Sequence, residues 1–391
     1  MTAQGPERAI RVVHVITGLD VGGAEMMLCK LMRATNRSRI DPTVISLSSL
    51  GAIGSRIQEA GVEVRALQMR SSSALPGAMV RLTGWLRELR PDVVQTWMYH
   101  ADLLGGVAAR LAGCRRVVWG LRQSSVSVDL LGPRTHRLVR VCAALSGTIP
   151  SRIVACSETT RKAHAAFGYS VRHMVVVPNG FEIERFHPDP QARAAVRGEL
   201  GIGDSTPLVG LFSRFNIYKD HGTFCAAAAV LRQTIPAVHF VLCGDQVLPE
   251  NNAFRTWQER YGLNDGFHLL GPRDDVPRLM AAVDIAASSS VSEGFPNVIG
   301  EAMACGTPCV VTDAGDSAAI IGETGCVVPV QEPAALSAAM AALLGEGKEA
   351  LAARGAAARA RIVTCFSIGA VSKLYETLYC EMARGVANQR N

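Results

Sequence analysis

Short runs of β-branched and aliphatic residues recur along the chain and alternate with longer stretches in which apolar residues follow a helical period. The first half carries such runs at residues 12–16, 43–47, 62–64, 93–97, 117–119, 153–156 and 174–177. The second half carries them at residues 208–213, 238–243, 283–287, 309–313 and 325–329. Short runs with little polar alternation predict strands buried on both faces. Their alternation with helical patterns predicts an α/β fold with parallel sheets.

A turn-rich segment divides this alternation in two. Pro178, Asn179, Gly180, Pro188 and Pro190 lie close together between the two series of strands, and such clusters mark loops and boundaries. The chain of 391 residues is also long enough for two domains. We therefore predict one domain over residues 8–185, a second over residues 186–367, and a last helix with a tail over residues 368–391.

Composition and charge exclude several classes of protein. The net charge of +6 is spread along the chain, so it does not indicate a nucleic-acid partner. The eleven cysteines contain no C-x-x-C pair, which argues against a disulfide framework or a zinc site and for reduced thiols in the cytoplasm. No apolar run reaches the roughly 18 residues that a membrane-spanning helix needs. We expect a cytoplasmic protein.

In a parallel α/β sheet, the residues that bind ligands lie beyond the carboxyl ends of the strands. Arg214 and Lys219 follow the strand at residues 208–213 in one loop. The two cations could clamp a diphosphate, arginine through its bidentate fork and lysine as a compact charge. Alternatively, Arg214 and Lys219 are ordinary solvated surface residues.

Residues 292–301 follow another predicted strand and contain two carboxylates. Pro296 suits the first position of a helix, and Gly306 suits its end. Backbone amides at a helix start form an anion site, for which we predict Gly294, Phe295, Pro296 and Asn297. Glu293 would then lie in the loop and Glu301 in the helix. Both would accept hydrogen bonds from hydroxyl groups attached to the bound anion, unless they are ordinary surface acids.

Two loops of the first domain also follow strands. The segment from Gly18 to Gly23 enters a helix and lacks the dinucleotide pattern G-x-G-x-x-G. Its glycines allow a ligand to approach the backbone closely, but on its own the segment fits a plain turn into a helix better. His100 follows the strand at residues 93–97. It is either a site residue or a polar loop residue without a function.

Taken together, these segments resemble the motifs of the retaining glycosyltransferases of family four. Glu293 and Glu301 match the E-x7-E signature, and the loop at Gly22 and Gly23 resembles the family's glycine loop. The segment at residues 178–188 is similar to the connector between the family's two domains.

The loop at residues 213–222 resembles the family's G-R-x4-K-G motif with two departures. Ser213 stands where the family has glycine before the arginine. Asp220 and His221 precede a glycine that relatives often carry directly after the lysine. Arg214 and Lys219 remain in register.

The resemblance implies the GT-B architecture, in which two Rossmann-like domains with parallel sheets face each other across a cleft. The first domain would bind the acceptor, the second would bind the nucleotide-sugar, and the last helix would return to the first domain. Many relatives have histidine where this chain has Trp97, so His100 is the candidate for the family's histidine.

The resemblance also implies the activity. His100 and Glu293 would be the catalytic residues, with Glu293 on the donor sugar and Glu301 on the ribose. Gly23, Arg214, Lys219 and the amides from Gly294 to Asn297 would complete the donor site. A UDP- or GDP-sugar would be the donor and a carbohydrate or lipid-linked molecule the acceptor, in polysaccharide, lipopolysaccharide or glycolipid synthesis.

Other interpretations remain open at this point. No D-x-D pattern occurs at a suitable strand end, so no metal ion or other cofactor is expected. A UDP-sugar 2-epimerase of the same fold and a catalytically inactive sugar-nucleotide-binding protein are the alternatives.

The arginine- and leucine-rich stretch at residues 130–145 could make weak peripheral contact with the inner membrane face, or could simply pack on the sheet.

Overall fold

The computed structural model describes residues 8–69, 74–124 and 126–385. The chain divides into two compact units. Unit 1 contains the described residues up to Gly180 together with those from Ile368 onwards, and unit 2 is Phe181–Ser367. The end of the predicted C-terminal tail, residues 386–391, lies outside the described residues.

The strands of the described residues are short and mostly buried. In chain order they are β1 Ile10–Ile16, β2 Ile40–Ser46, β3 Glu63–Ala66, β4 Val93–Trp97, β5 Val117–Leu121, β6 Arg152–Ala155, β7 Met174–Val176, β8 Leu208–Phe212, β9 His239–Cys243, β10 Phe267–Leu269, β11 Ile285–Ser288, β12 Cys309–Thr312 and β13 Cys326–Val328.

Helices lie between these strands and after them. They are α1 Gly23–Ala34, α2 Gly51–Glu59, α3 Leu75–Leu89, α4 Tyr99–Leu111, α5 Val128–Leu145, α6 Glu158–Ala166, α7 Pro190–Glu199, α8 His221–Thr234, α9 Asn252–Tyr261, α10 Val276–Ala282, α11 Asn297–Ala304, α12 Ser317–Ile321, α13 Pro333–Gly345, α14 Lys348–Arg361 and α15 Ile368–Ala383. Short 3-10 turns form at Val171–His173 and Ile217–Lys219, and a π-helical turn follows α14 at Ile362–Phe366.

Unit 1 is built on a seven-stranded parallel sheet in the order β3-β2-β1-β4-β5-β6-β7. The strand order reverses between β1 and β4, where Ile16 pairs with Trp97. A crevice forms beyond the carboxyl ends of strands at such a reversal and is the usual ligand site of this kind of sheet. The loop before α1 and the start of α4 both lie at this point of unit 1.

Unit 2 repeats the arrangement with a six-stranded parallel sheet in the order β10-β9-β8-β11-β12-β13. Its reversal falls between β8 and β11. The loop with Arg214 and Lys219 follows β8, and the loop with Glu293 follows β11. The prediction of an α/β fold with parallel sheets is confirmed in both units.

Each sheet is covered on both faces by apolar side chains of helices. In unit 1, α1, α2 and α15 pack on one face, and α3, α4 and α5 pack on the other. In unit 2, α7, α10, α11 and α14 cover one face, and α8, α9 and α13 cover the other. Burial of both faces explains why the strands are continuous apolar runs in the sequence.

Two helices differ from their predicted form. α5 is broken at Gly132, whose φ of 73° and ψ of 159° are not helical, and Pro133 follows directly. α11 begins at Asn297 and has Pro296 as its N-cap, so the prediction that Pro296 is the first helical residue was wrong by one position. Within the described residues, no helix has the length and apolarity needed to cross a membrane.

Candidate functional site

Two sequence motifs meet at the strand reversal of unit 2. The Lys219 ammonium donates a hydrogen bond to Oε1 of Glu293, although the residues are 74 positions apart in the chain. Ser290 Oγ donates to the same oxygen at 2.7 Å. The side chains of Lys219 and Glu293 are only 22% and 13% exposed, so solvent screens their attraction weakly. The cation and the carboxylate therefore belong to one site.

The loop after β8 is held by the loop after β11. Ser289 Oγ donates to the carbonyl oxygen of Lys219 at 2.9 Å, and the Val291 amide donates to the carbonyl oxygen of Tyr218 at 2.9 Å. Within the loop, the Asn216 side chain accepts from the Tyr218 amide at 2.9 Å. These bonds satisfy backbone groups of Tyr218 and Lys219 and fix the position of Lys219.

Asp220 explains one departure from the family motif. It adopts a left-handed backbone conformation with φ of 45°, which glycine, asparagine and aspartate tolerate best. Its carboxylate caps α8, accepting from the Thr223 amide at 3.2 Å and from Thr223 Oγ1 at 2.7 Å. Asp220 therefore occupies the turn where relatives often have glycine. Arg214, at the other end of the loop, is exposed to solvent.

The start of α11 faces the same edge of the sheet. Gly294 and Phe295 precede the N-cap, and Asn297 is the first helical residue. Glu301 lies in the helix, as predicted, and its side chain is half-buried. The helix ends in a Schellman motif, in which the Gly306 amide donates to Met303 at 2.9 Å and the Thr307 amide donates to Ala302 at 3.1 Å.

A glycine after β12 supports the loop that carries Glu293, and the sequence analysis missed it. Gly315 has φ of 62°, and a Cβ built there would lie 2.5 Å from the Glu293 carbonyl oxygen and 2.8 Å from that of Gly294. The Asp316 amide donates to the Gly294 carbonyl oxygen at 3.1 Å. The available signal was a glycine in the loop two residues after a predicted strand, where close backbone approach favours glycine.

Phe295 has an aromatic neighbour in its own unit. Its ring stacks on Phe181 with centroids 6.0 Å apart, and Phe366 lies 6.1 Å away on another side. Phe181 also fills the space beside Gly300, where an added Cβ would lie 2.1 Å from the Phe181 ring. The side chain of Phe295 thus packs within unit 2, while its backbone remains at the turn before α11.

The candidate residues of unit 1 lie at helix starts. Gly23 is the first residue of α1, and no described atom outside its own helix and chain neighbours lies within 4 Å of a Cβ built there. His100 was predicted in a loop before a helix, but it is the second residue of α4. It is exposed, and partial desolvation lowers its pKa, which favours the neutral imidazole.

Trp97 is a core residue. Its indole is fully buried and donates from Nε1 to His14 Nδ1 at 3.2 Å. The Arg122 guanidinium lies 4.1 Å above the indole ring, and Tyr375 of α15 stacks on it at 6.2 Å. This residue therefore joins α15 to the sheet, and His100 remains the candidate for the family's histidine.

Each unit has a strand reversal that presents polar groups, and comparison with known families identifies the class of protein. Residues 21–185 match the family model for glycosyltransferase family 4, and residues 206–346 match that for glycosyl transferases group 1. The chain belongs to the family-four, group 1 glycosyltransferases and is an enzyme of that class. The predicted family is confirmed.

Several characterised proteins are similar over most of their length. A 2-deoxystreptamine N-acetyl-D-glucosaminyltransferase of Streptomyces fradiae is 27% identical, with 82% of each chain covered. A GDP-mannose-dependent phosphatidylinositol monomannoside mannosyltransferase of Mycolicibacterium smegmatis is 29% identical, with 68% of this chain and 71% of the relative covered. Anabaena HepE, solved in complex with UDP and glucose, aligns with a TM-score of 0.77 at 25% identity, covering 95% of this chain and 100% of HepE.

Proposed function

We propose that this protein transfers a sugar from a UDP- or GDP-sugar to an acceptor hydroxyl with retention of the anomeric configuration. The hydrogen bond between Lys219 and Glu293 carries the proposal. It joins the candidate diphosphate loop to the candidate sugar carboxylate at the strand reversal of unit 2, where ligands of such sheets bind.

The charges of unit 2 match the parts of a nucleotide-sugar. Arg214 and Lys219 supply cations for the diphosphate, and the amides of Gly294, Phe295 and Asn297 add the partial positive charge of a helix start. Glu293 would accept from hydroxyls of the sugar and Glu301 from those of the ribose. These cations and amides would also stabilise the leaving diphosphate, so that the reaction would need no metal ion.

The relatives leave the base of the nucleotide and the acceptor open. The mannosyltransferase of M. smegmatis is named for GDP-mannose and phosphatidylinositol monomannoside, whereas HepE was solved with UDP. The transferase of S. fradiae is named for 2-deoxystreptamine, an acceptor of another kind. We therefore propose a carbohydrate or lipid-linked acceptor, in polysaccharide, lipopolysaccharide or glycolipid synthesis.

Catalysis would follow the course that the family resemblance implies. The departing phosphate would help to deprotonate the acceptor on the face from which it leaves, through an oxocarbenium-like transition state. We assign Gly23 to donor binding and His100 to the sugar or acceptor. Because its lowered pKa favours the neutral imidazole, His100 would act by hydrogen bonding rather than as a fixed cation.

Weak contact with an anionic membrane surface is also part of the proposal. Arg134, Arg137 and Arg140 of α5 are exposed, and Val141 beside them is 46% exposed. Basic residues next to exposed apolar ones favour an anionic lipid surface. Such contact would place a cytoplasmic enzyme at the inner membrane face when its acceptor is lipid-linked.

A transfer assay tests the proposal. A panel of UDP- and GDP-sugars is incubated with polyprenyl-diphosphate sugars, phosphoinositides and soluble glycosides, and release of nucleoside diphosphate is measured with and without acceptor. We expect acceptor-dependent release and a product whose proton coupling constants show the anomeric configuration of the donor. Conversion of the donor without acceptor would indicate an epimerase, and binding without turnover would indicate an inactive sugar-nucleotide-binding protein.

A further inference from the structure

The two ends of the loop that carries Arg214 and Lys219 are joined by their side chains. Ser213 follows β8 directly, and His221 is the first residue of α8. Ser213 Oγ and His221 Nε2 are 3.2 Å apart and share a hydrogen bond. Both residues are departures from the family motif, and in the folded chain they contact each other. A side-chain bond therefore closes the loop where the family pattern has glycine.

His221 is fixed by its surroundings. It is 1% exposed, and its ring lies 5.5 Å from that of Phe215 and 5.4 Å from that of Phe254. Phe215 belongs to the loop, and its amide donates to the Asp245 carbonyl oxygen at 2.7 Å. The aromatic packing leaves the His221 imidazole little freedom, so Ser213 Oγ, to which it is bonded, is held in place as well.

Ser213 supplies the hydrogen bond of this imidazole. Among the described residues, His221 Nδ1 is buried and has no partner, which leaves Nε2 to make the bond. Burial lowers the pKa of His221 to about 4, so the ring is neutral at physiological pH. The pair can therefore hold the loop without placing another cation beside Lys219.

We propose that Ser213 and His221 are positioning residues that set the geometry of Arg214 and Lys219 for the donor diphosphate. This inference rests on the proposed function, because it gives the diphosphate as the ligand of the loop. A loop fixed before binding loses less conformational freedom when the ligand arrives. Loss of the pair should therefore weaken diphosphate binding even though neither residue carries a charge to the ligand.

The test measures the affinity of the whole protein for UDP and for GDP by isothermal titration calorimetry. Ser213→Ala removes the hydroxyl. His221→Phe keeps an aromatic ring in the cluster and removes the bond, whereas His221→Gln can restore a polar group near the position of Nε2. His239→Phe is the matched control, because His239 is half-buried in the same unit and bonds to His268 at 3.1 Å, at the amino end of β9.

We expect Ser213→Ala and His221→Phe each to weaken binding of the nucleotide that the wild type prefers by about three- to tenfold. A factor of this size corresponds to the usual contribution of a neutral hydrogen bond. The double variant should lose no more than either single variant, because the two residues act through one bond. His221→Gln should recover most of the affinity. His239→Phe should leave the affinity unchanged, whatever its effect on stability.

The outcomes separate the inference from the proposed function. The positioning role would be overturned if Ser213→Ala and His221→Phe kept wild-type affinity, or if their losses multiplied in the double variant, while Arg214→Ala still weakened binding. If the wild type bound neither UDP nor GDP, or if Arg214→Ala bound them as well as the wild type, the proposed donor site itself would be wrong.

Discussion

The ion pair between Lys219 and Glu293 predicts that removal of the Glu293 charge raises the affinity for a bare nucleoside diphosphate. Lys219 donates to the Glu293 carboxylate, so a diphosphate must compete with that carboxylate for the ammonium. Glu293→Gln keeps an acceptor for Lys219 and Ser290 but removes the charge. We expect this variant to bind bare UDP or GDP more tightly than the wild type, while sugar transfer is lost.

The magnitude follows from the kind of hydrogen bond that is replaced. The Lys219 ammonium keeps a charge-assisted bond to the amide oxygen of glutamine, so only the attraction between the two opposite charges is lost, and the competition weakens by about 1 kcal/mol. That difference corresponds to about a fivefold gain in affinity. Because both side chains are mostly buried, physiological salt should reduce the gain only slightly.

Calorimetric titration with UDP and GDP, followed by the matching sugar nucleotide, measures both effects. Glu259→Gln, an exposed change in α9, is the matched control and should bind as the wild type does. Lys219→Met should weaken the bare nucleotide by about 1.5–3 kcal/mol. If Glu293→Gln weakened the bare nucleotide as strongly as Lys219→Met does, the carboxylate would support the diphosphate site, and the competition argument would fail.

Three further predictions concern stability, and urea denaturation measures each of them. Gly300→Ala should destabilise unit 2 by about 1–3 kcal/mol, because the added methyl overlaps the aromatic ring behind α11, whereas Gly198→Ala in open space within α7 should be neutral or stabilising. Burial raises the pKa of Asp102 to about 8, so the folded state keeps a proton that the unfolded state loses. The free energy of unfolding should therefore fall as the pH rises from about 4 to about 8. Asp102→Asn should remove this dependence on pH. Tyr375→Phe takes away the hydroxyl that accepts from Arg122 and should cost about 1.5–3 kcal/mol; unchanged stability would mean that this bond does not anchor α15.

The sequence was sufficient for the architecture because both sheets are buried on both faces. Continuous apolar runs locate buried strands, and their carboxyl ends locate the loops in which Arg214, Lys219 and Glu293 lie. Which strands are neighbours could not be obtained in this way. The adjacency of β8 and β11, which brings Lys219 to Glu293, results from long-range pairing that periodicity does not encode.

The parts that the sequence analysis missed depend on contacts between distant or weakly patterned residues. Gly315 approaches the backbone of Glu293 from the loop after β12, and nothing local to Gly315 specifies that partner. Ser213 and His221 each looked like a loss of the family pattern, although together they form one hydrogen bond. Trp97 looked like a change in a site, but its ring is buried under α15.

The most direct test of the central claim is a crystal structure of the wild-type protein with the nucleoside diphosphate that it binds. The account predicts the two phosphates within hydrogen-bond distance of Arg214, Lys219 and the amides at the start of α11, with the ribose hydroxyls on Glu301 and the Lys219 ammonium moved from Glu293 to a phosphate oxygen. A diphosphate bound away from the strand reversal of β8 and β11, or one that leaves Arg214 and Lys219 without contact, would contradict it.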